Sequence, residues 1–285
     1  MAEGPAPLTV KNSSSISSLG RSHRQRSSEI LAGIRAELLP KPEYAAMARP
    51  AGRMLGSLLV RLSRRDQPRL NAVIARPEVF RYLVAQMIKG KAEAHHVELA
   101  AGFVPRAWQL ASEFPQLRVT EVDLPEIIAE KQRRLARTKL GMPSNLKMLS
   151  ADFGAEALAE TLGGEKADVI TAEGLLPHSR HAVIESIAVN VRECLKADGV
   201  FIADIITKES YRAMTQSKIR HAIDIFRRNV GEPLGLMDDF DHARKLFASA
   251  GYSKVEIQQI PELAERLPHV PKPVAVITSI VIART

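Results

Sequence analysis

Residues 95–125 read HHVELAAGFVPRAWQLASEFPQLRVTEVDLP, and within this span the spacing of apolar positions changes twice. His96 to Ala100 is a short apolar run. Ala100, Ala101 and Gly102 then supply small residues that let backbone N–H groups approach a ligand, and Pro105 suits the first turn of a helix. Arg118 to Val122 is a second short run, and it leaves through Glu121-Val122-Asp123. Strand, turn, helix, strand is the repeating unit of an α/β sheet.

Downstream, the same alternation continues. Leu146 to Ala151, Asp168 to Thr171 and Gly199 to Ile206 are short apolar runs separated by helical patterns, which predicts a parallel sheet with helices on both faces. Val255 to Ile260 and Val274 to Ala283 have a loop and no crossover helix between them, so they are expected to pair antiparallel at one edge. Upstream, Ile30, Leu31, Ile34, Leu38 and Leu39 share one face, and Met54 to Arg64 and Val79 to Ile88 are further helical stretches. The expected organisation is a flexible basic Ser-rich arm over residues 1–27 and an α-helical cap over 28–92. An α/β domain follows over 93–285, with a substrate-covering insertion at about 207–236.

Composition narrows the class. At 285 residues, 45% hydrophobic and 25% charged, the chain is long enough for one well-buried domain with an elaboration. Its longest apolar stretch, Pro273 to Ala283, is too short to span a bilayer as a helix. Cys194 is the only cysteine, which excludes an intrachain disulfide or a thiolate metal site, and no metal is expected. A reducing, cytoplasmic setting fits. The net charge of +8 is localised: residues 1–95 hold 16 Lys+Arg against 7 Asp+Glu. Such a surface attracts an acidic partner, an anionic membrane or nucleic acid, or simply solvates a helical cap.

In open α/β sheets the ligand lies beyond the C-terminal strand ends, where the chain order reverses. One glycine at Gly102 is not a G-X-G-X-X-G fingerprint, which argues against NAD or FAD. Strand alternation puts Glu121 and Asp123 on one face; Asp123, nearer the tip, is positioned to accept from ribose hydroxyls. Asp152-Phe153 leaves the third strand, where a carboxylate can take an exocyclic amine and an aromatic ring can cover the base, or Asp152 can cap a helix.

These residues resemble the leucine carboxyl methyltransferase family, including bacterial relatives that methylate polyketides and other small metabolites. The resemblance rests on Val97-Glu98-Leu99-Ala100-Ala101-Gly102-Phe103, Arg106-Ala107-Trp108, Glu121-Val122-Asp123-Leu124-Pro125-Glu126-Ile127-Ile128 and Ala172-Glu173-Gly174-Leu175-Leu176, and covers about residues 76–206. It implies a Rossmann-like class I methyltransferase sheet, mostly parallel with an antiparallel C-terminal hairpin, and S-adenosylmethionine as cofactor. By resemblance, Gly102 holds the methionyl part, Asp123 the ribose, Asp152 and Phe153 the adenine, and Glu173 the amino group. Arg76, with Arg81 second, takes the cofactor carboxylate, and Glu98 and Leu124 complete the cofactor set. The chain departs from the family pattern at Val104-Pro105, where Asp-Thr is usual, and at Pro177-His178, where Met-Tyr is usual.

The expected function is O-methylation of a carboxyl or hydroxyl oxygen of a small metabolite, carrier-bound or free, in natural-product biosynthesis. His178 is the candidate base, while Tyr211, Met214 and His221 are candidate substrate contacts. A fold relative that binds the cofactor without transferring is the alternative. A nucleic-acid methyltransferase is disfavoured because Glu173-Gly174-Leu175-Leu176 is not a polar-Pro-Pro-aromatic loop. A homodimer is compatible with the sequence.

Overall fold

The computed structural model describes residues 17–152, 157–216, 223–225, 228 and 233–285. Its sheet is built from β1 (Ala94–Leu99), β2 (Leu117–Asp123), β3 (Leu146–Ser150), β4 (Ala167–Ala172), β5 (Leu195–Thr207), β6 (Leu236–Met237), β7 (Lys254–Gln259) and β8 (Ser279–Arg284). The order is β3-β2-β1-β4-β5-β8-β7, with the two-residue β6 added beside the end of β5. β1 to β5 run parallel, whereas β8 lies antiparallel between β5 and β7. β1 and β4 are buried along their whole length, as parallel strands covered on both faces must be. The chain order reverses between them, so a ligand cleft belongs at the ends of β1 and β4.

The antiparallel edge is as the sequence predicts, but its last strand is shorter. Pro271 and Pro273 have no N–H to give a ladder. The segment is held elsewhere: Asn71 Nδ2 donates to Pro273 O at 2.9 Å and Ala275 N donates to Pro68 O at 2.8 Å.

Four helices precede the sheet: α1 (Ser17–Leu38), α2 (Pro42–Met47), α3 (Pro50–Ser63) and α4 (Gln67–Ile88). Helix α1 starts well before Ser28, so the part of the expected arm from Ser17 onward is helical. Once Ile30 and Ile34 are packed, propagation back through Arg21, Gln25 and Arg26 meets only ordinary helix formers and a single glycine. Residues 1–16 lie outside the described residues. The expected cap helix Val79 to Ile88 is the second half of α4, and its stripe packs on the sheet, with Val79, Phe80, Leu83 and Val84 against Val169, Val200 and Ile282.

Helices α1 and α3 cross at backbone contact. A Cβ on Gly33 would sit 1.9 Å from the Gly52 carbonyl oxygen, and one on Gly56 would sit 2.4 Å from the Gly33 carbonyl carbon. Further helices among the described residues include α5 (Arg106–Glu113), α6 (Pro125–Ala136), α7 (Leu158–Thr161), α8 (His181–Glu193), α9 (Lys208–Thr215), α10 (Phe240–Ser249) and α11 (Ile260–Ala264), the last inside the β7–β8 connection.

Candidate active site

Strand β1 ends in a turn that takes Ala100 to φ 51° and Gly102 to φ 53°. Left-handed backbone is strained for alanine, and here it is held by Ala100 N donating to Val122 O at 2.8 Å. The carboxylate of Asp123, at the end of β2, accepts from Gly102 N and Leu124 N, both at 2.7 Å. Burial pushes Asp123 up in pKa, and these two backbone donors oppose it. The turn and the acid therefore fix each other. Beside them Lys131 is 2.7 Å from Glu121 Oε1 but donates its hydrogen bond to Val104 O, and burial pushes Glu121 up despite that cation.

At the end of β4, Glu173 meets three guanidinium groups from three different helices: Arg35 of α1, Arg76 of α4 at 2.8 Å and Arg106 of α5 at 2.5 Å. Burial alone would raise its pKa, yet the three cations hold Glu173 well below the usual carboxylate range. Arg106 reaches back to Glu98 Oε1 at 2.6 Å and lies over the Phe80 ring, 4.8 Å from its centre. Arg76 also approaches Asp204 of β5 at 3.4 Å, and Asp204 Oδ1 accepts from Gly174 N at 2.6 Å. Several buried atoms of this network have no hydrogen-bond partner, among them Glu98 Oε2, Asp204 Oδ2, Arg35 Nε and Arg106 Nε. Buried carboxylate oxygens and guanidinium nitrogens left without partners are groups that could hold the ammonium and carboxylate of an amino-acid zwitterion.

Residues 22–188 match the model of the leucine carboxyl methyltransferase family, more than half of the chain. The chain belongs to the leucine carboxyl methyltransferase family. That family uses S-adenosylmethionine. Among curated proteins nothing matches the chain. Solved structures of similar fold include a candidate O-methyltransferase from Nostoc punctiforme (15% identity, TM-score 0.52), covering 74% of this chain and 57% of that one. PigF with S-adenosylhomocysteine has 13% identity and a TM-score of 0.51, covering 95% of this chain and 71% of that one. Human N-acetylserotonin methyltransferase in complex with S-adenosylmethionine has 14% identity and a TM-score of 0.50, covering 85% and 69%. This chain thus spans little more than half the length of the Nostoc protein. At such identities the likeness is one of fold, and it is the class I methyltransferase fold.

Within this family member, Arg76, Glu98, Gly102, Asp123, Leu124 and Glu173 converge at the β1–β4 switch. Arg81 is engaged instead by Glu78 at 3.2 Å and Glu113 at 2.6 Å. Asp152 follows β3 at the same sheet edge, while Phe153 and His221 lie outside the described residues. His178 ends a single 3₁₀ turn after β4, half-buried, and the returning insertion bonds to that turn through Leu234 N and Gly235 N to Pro177 O. Its neighbour His181 contacts Leu236 O at 3.1 Å and stacks on His242 at 5.1 Å, which accounts for it structurally. Tyr211 and Met214 are on α9, and Met214 packs against the cap cluster to which Ile30, Leu59 and Val60 belong.

The sequence pattern left three members of the network without a role: Arg35, Arg106 and Asp204. Each left a signal, because each is a charged residue inside a run that otherwise packs.

Proposed function

We propose that the chain transfers a methyl group from S-adenosylmethionine to a carboxyl or hydroxyl oxygen of a small metabolite of natural-product biosynthesis, in the cytoplasm. The observation that carries this reading is the meeting of Glu173 and Asp204 with Arg35, Arg76 and Arg106 beside the Gly102–Asp123 turn. The residues fit the cofactor: unpaired atoms of Arg35 or Arg106 suit its carboxylate, with Arg76 beside them, and Glu98, Glu173 or Asp204 suit its ammonium. Asp123, fixed by two backbone donors, keeps lone pairs for the ribose hydroxyls; Leu124, Asp152 and Phe153 are assigned to the nucleoside end.

Bound there, the cofactor supplies a sulfonium methyl as the electrophile. The chain's task is alignment, since holding a nucleophile in line with that methyl in a desolvated site supplies most of the acceleration. Asp123 and Glu173 belong to different strands, so the rigid sheet sets the distance between the two ends of the site. A carboxylate acceptor, with a pKa near 4, is already ionised at neutral pH, whereas a hydroxyl at about 10 or above benefits from a base. We assign that role to His178, which favours a hydroxyl acceptor, with Tyr211, Met214 and His221 as the substrate-lining set.

Calorimetry with S-adenosylmethionine and S-adenosylhomocysteine, followed by label transfer into a metabolite extract, tests this reading. Binding with transfer to an organic-extractable product is the expected result. Binding without transfer would make the chain a non-methylating relative, and absence of binding would refute the site.

A further inference from the structure

Among the described elements, helix α3 packs mainly on α1 and α4. One face of it holds Gly52, Gly56, Leu59 and Val60 inward. The opposite face exposes Met54 by 75%, Leu58 by 48% and Leu62 by 47%, a single stripe at four-residue spacing. Arg61 shares that face, exposed Arg64 and Arg65 follow at the helix end, and exposed Arg53 lies on its flank.

The arginines of this surface differ from the other arginines of residues 28–92. Arg35, Arg49, Arg69, Arg76 and Arg81 are all paired with carboxylates. Arg61, Arg64 and Arg65 make no side-chain ion pair or hydrogen bond among the described residues, and Arg53 donates only to the Ala45 carbonyl. One cation near the end of α3 is accounted for by the helix dipole, which does not call for three. Helix α3 contains no acidic residue, and at the border of the stripe Ser57 Oγ donates to Glu37 Oε2 of α1 at 2.8 Å.

We propose that this face of α3 docks on an anionic lipid surface, with Met54, Leu58 and Leu62 entering the headgroup–acyl boundary while Arg53, Arg61, Arg64 and Arg65 take phosphates. Apolar knobs projecting from a convex helix, rather than lining a groove, suit a fluid interface, and long basic side chains beside them reach headgroups. A second copy of the same face is excluded as occupant by like charge. The concentration of the chain's positive charge in residues 1–95 extends the attraction beyond α3. Met214 of the proposed substrate-covering insertion packs against the apolar cluster to which Leu59 and Val60 of α3 belong, so docking would bring the insertion close to the lipid.

The full chain should sediment with phosphatidylcholine vesicles containing phosphatidylglycerol and not with phosphatidylcholine alone. Arg61→Glu with Arg64→Glu and Arg65→Glu should lower partitioning by roughly 100-fold or more, at about fivefold for each charge removed. Met54→Ser with Leu58→Ser and Leu62→Ser should abolish the part of binding that survives added salt. All six residues are exposed, so melting temperature should be unchanged, which separates lost docking from misfolding. Absence of sedimentation at low ionic strength overturns the proposal. So does an equal loss in the control Lys147→Glu with Lys245→Glu, which would reduce the effect to net charge. Binding to poly-glutamate without binding to vesicles overturns it in favour of an acidic protein partner.

Discussion

Arg106→Met is the sharpest probe of the buried network. The Arg106 side chain is 1% exposed and pairs with Glu98 at 0% and Glu173 at 2%. Methionine fills similar space without charge. Glu173 keeps Arg35 and Arg76, so the loss falls on Glu98, whose second oxygen already has no partner. Breaking a buried pair by removing one partner costs about 3–5 kcal/mol, because the other charge stays desolvated. At about 2–4 °C per kcal/mol for a domain of this size, the melting temperature should fall by roughly 6–20 °C. Adding Glu98→Gln to Arg106→Met removes the stranded charge and should recover about 2 kcal/mol, a coupling that a double-mutant cycle isolates. Thermal and urea unfolding measure both the loss and the coupling. A loss below about 1 kcal/mol, or strictly additive variants, would refute the picture of a desolvated Glu98–Arg106 pair.

Asp123→Ala should weaken S-adenosylmethionine binding by at least about 100-fold, since it removes the proposed ribose acceptor and releases Gly102 N and Leu124 N; unchanged calorimetric affinity in a folded variant removes Asp123 from the site. Gly33→Ala should destabilise by about 1–3 kcal/mol, because its Cβ meets the Gly52 backbone, which cannot rotate away; a wild-type melting temperature would contradict the α1–α3 crossing. Burial pushes His95 and His96 below their ordinary 6.5, so unfolded chains take up protons that the native state refuses. Their contribution to stability should be constant well above pH 6.5 and fall below it by up to about 1.4 kcal/mol per pH unit for each histidine, against the opposite slope of Glu121, and the difference between wild type and His95→Gln with His96→Gln isolates it. His178→Gln should lower turnover by about 100-fold while sparing cofactor affinity, with the loss shrinking as pH rises; near-normal turnover at every pH would return a carboxylate acceptor to first place.

The sheet was legible because parallel strands buried on both faces leave short continuous apolar runs, and β1 to β5 and β7 fall within a few residues of those runs. The candidate-site residues on strand ends were easy to nominate for a related reason: Gly102, Asp123 and Glu173 stand where an apolar run stops. Arg35, Arg106 and Asp204 were harder to assign. Arg35 and Asp204 lie inside their elements and Arg106 opens α5, places where a charged residue reads equally as a solvated position, and only the fold brings residues 35, 76, 106 and 173 together. The start of α1 was obscured by composition, since serines and arginines resemble a linker until packing further along the helix recruits them. The last strand was overextended because Val274 to Ile277 is β-prone, while the ties of Pro273 and Ala275 to α4 are invisible in a local pattern.

The same helix face that the glycine crossing positions also closes the site. Ser28 and Arg35 are two turns apart on α1 and therefore point the same way. Ser28 Oγ fills the space a Cβ would take at Gly102, at 2.7 Å, and Arg35 pairs with Glu173. Helix α1 can reach both strand ends only because Gly33, Gly52 and Gly56 let it sink against α3. The cap and the cofactor end of the sheet are thus one mechanical unit: shifting α1 outward by the width of a methyl group lifts Ser28 from the β1 turn and Arg35 from the β4 acid together. A group entering between Gly102 and Glu173 must share that space with α1, so its affinity is coupled to the packing of α1 on α3 as well as to Asp123 and Arg76.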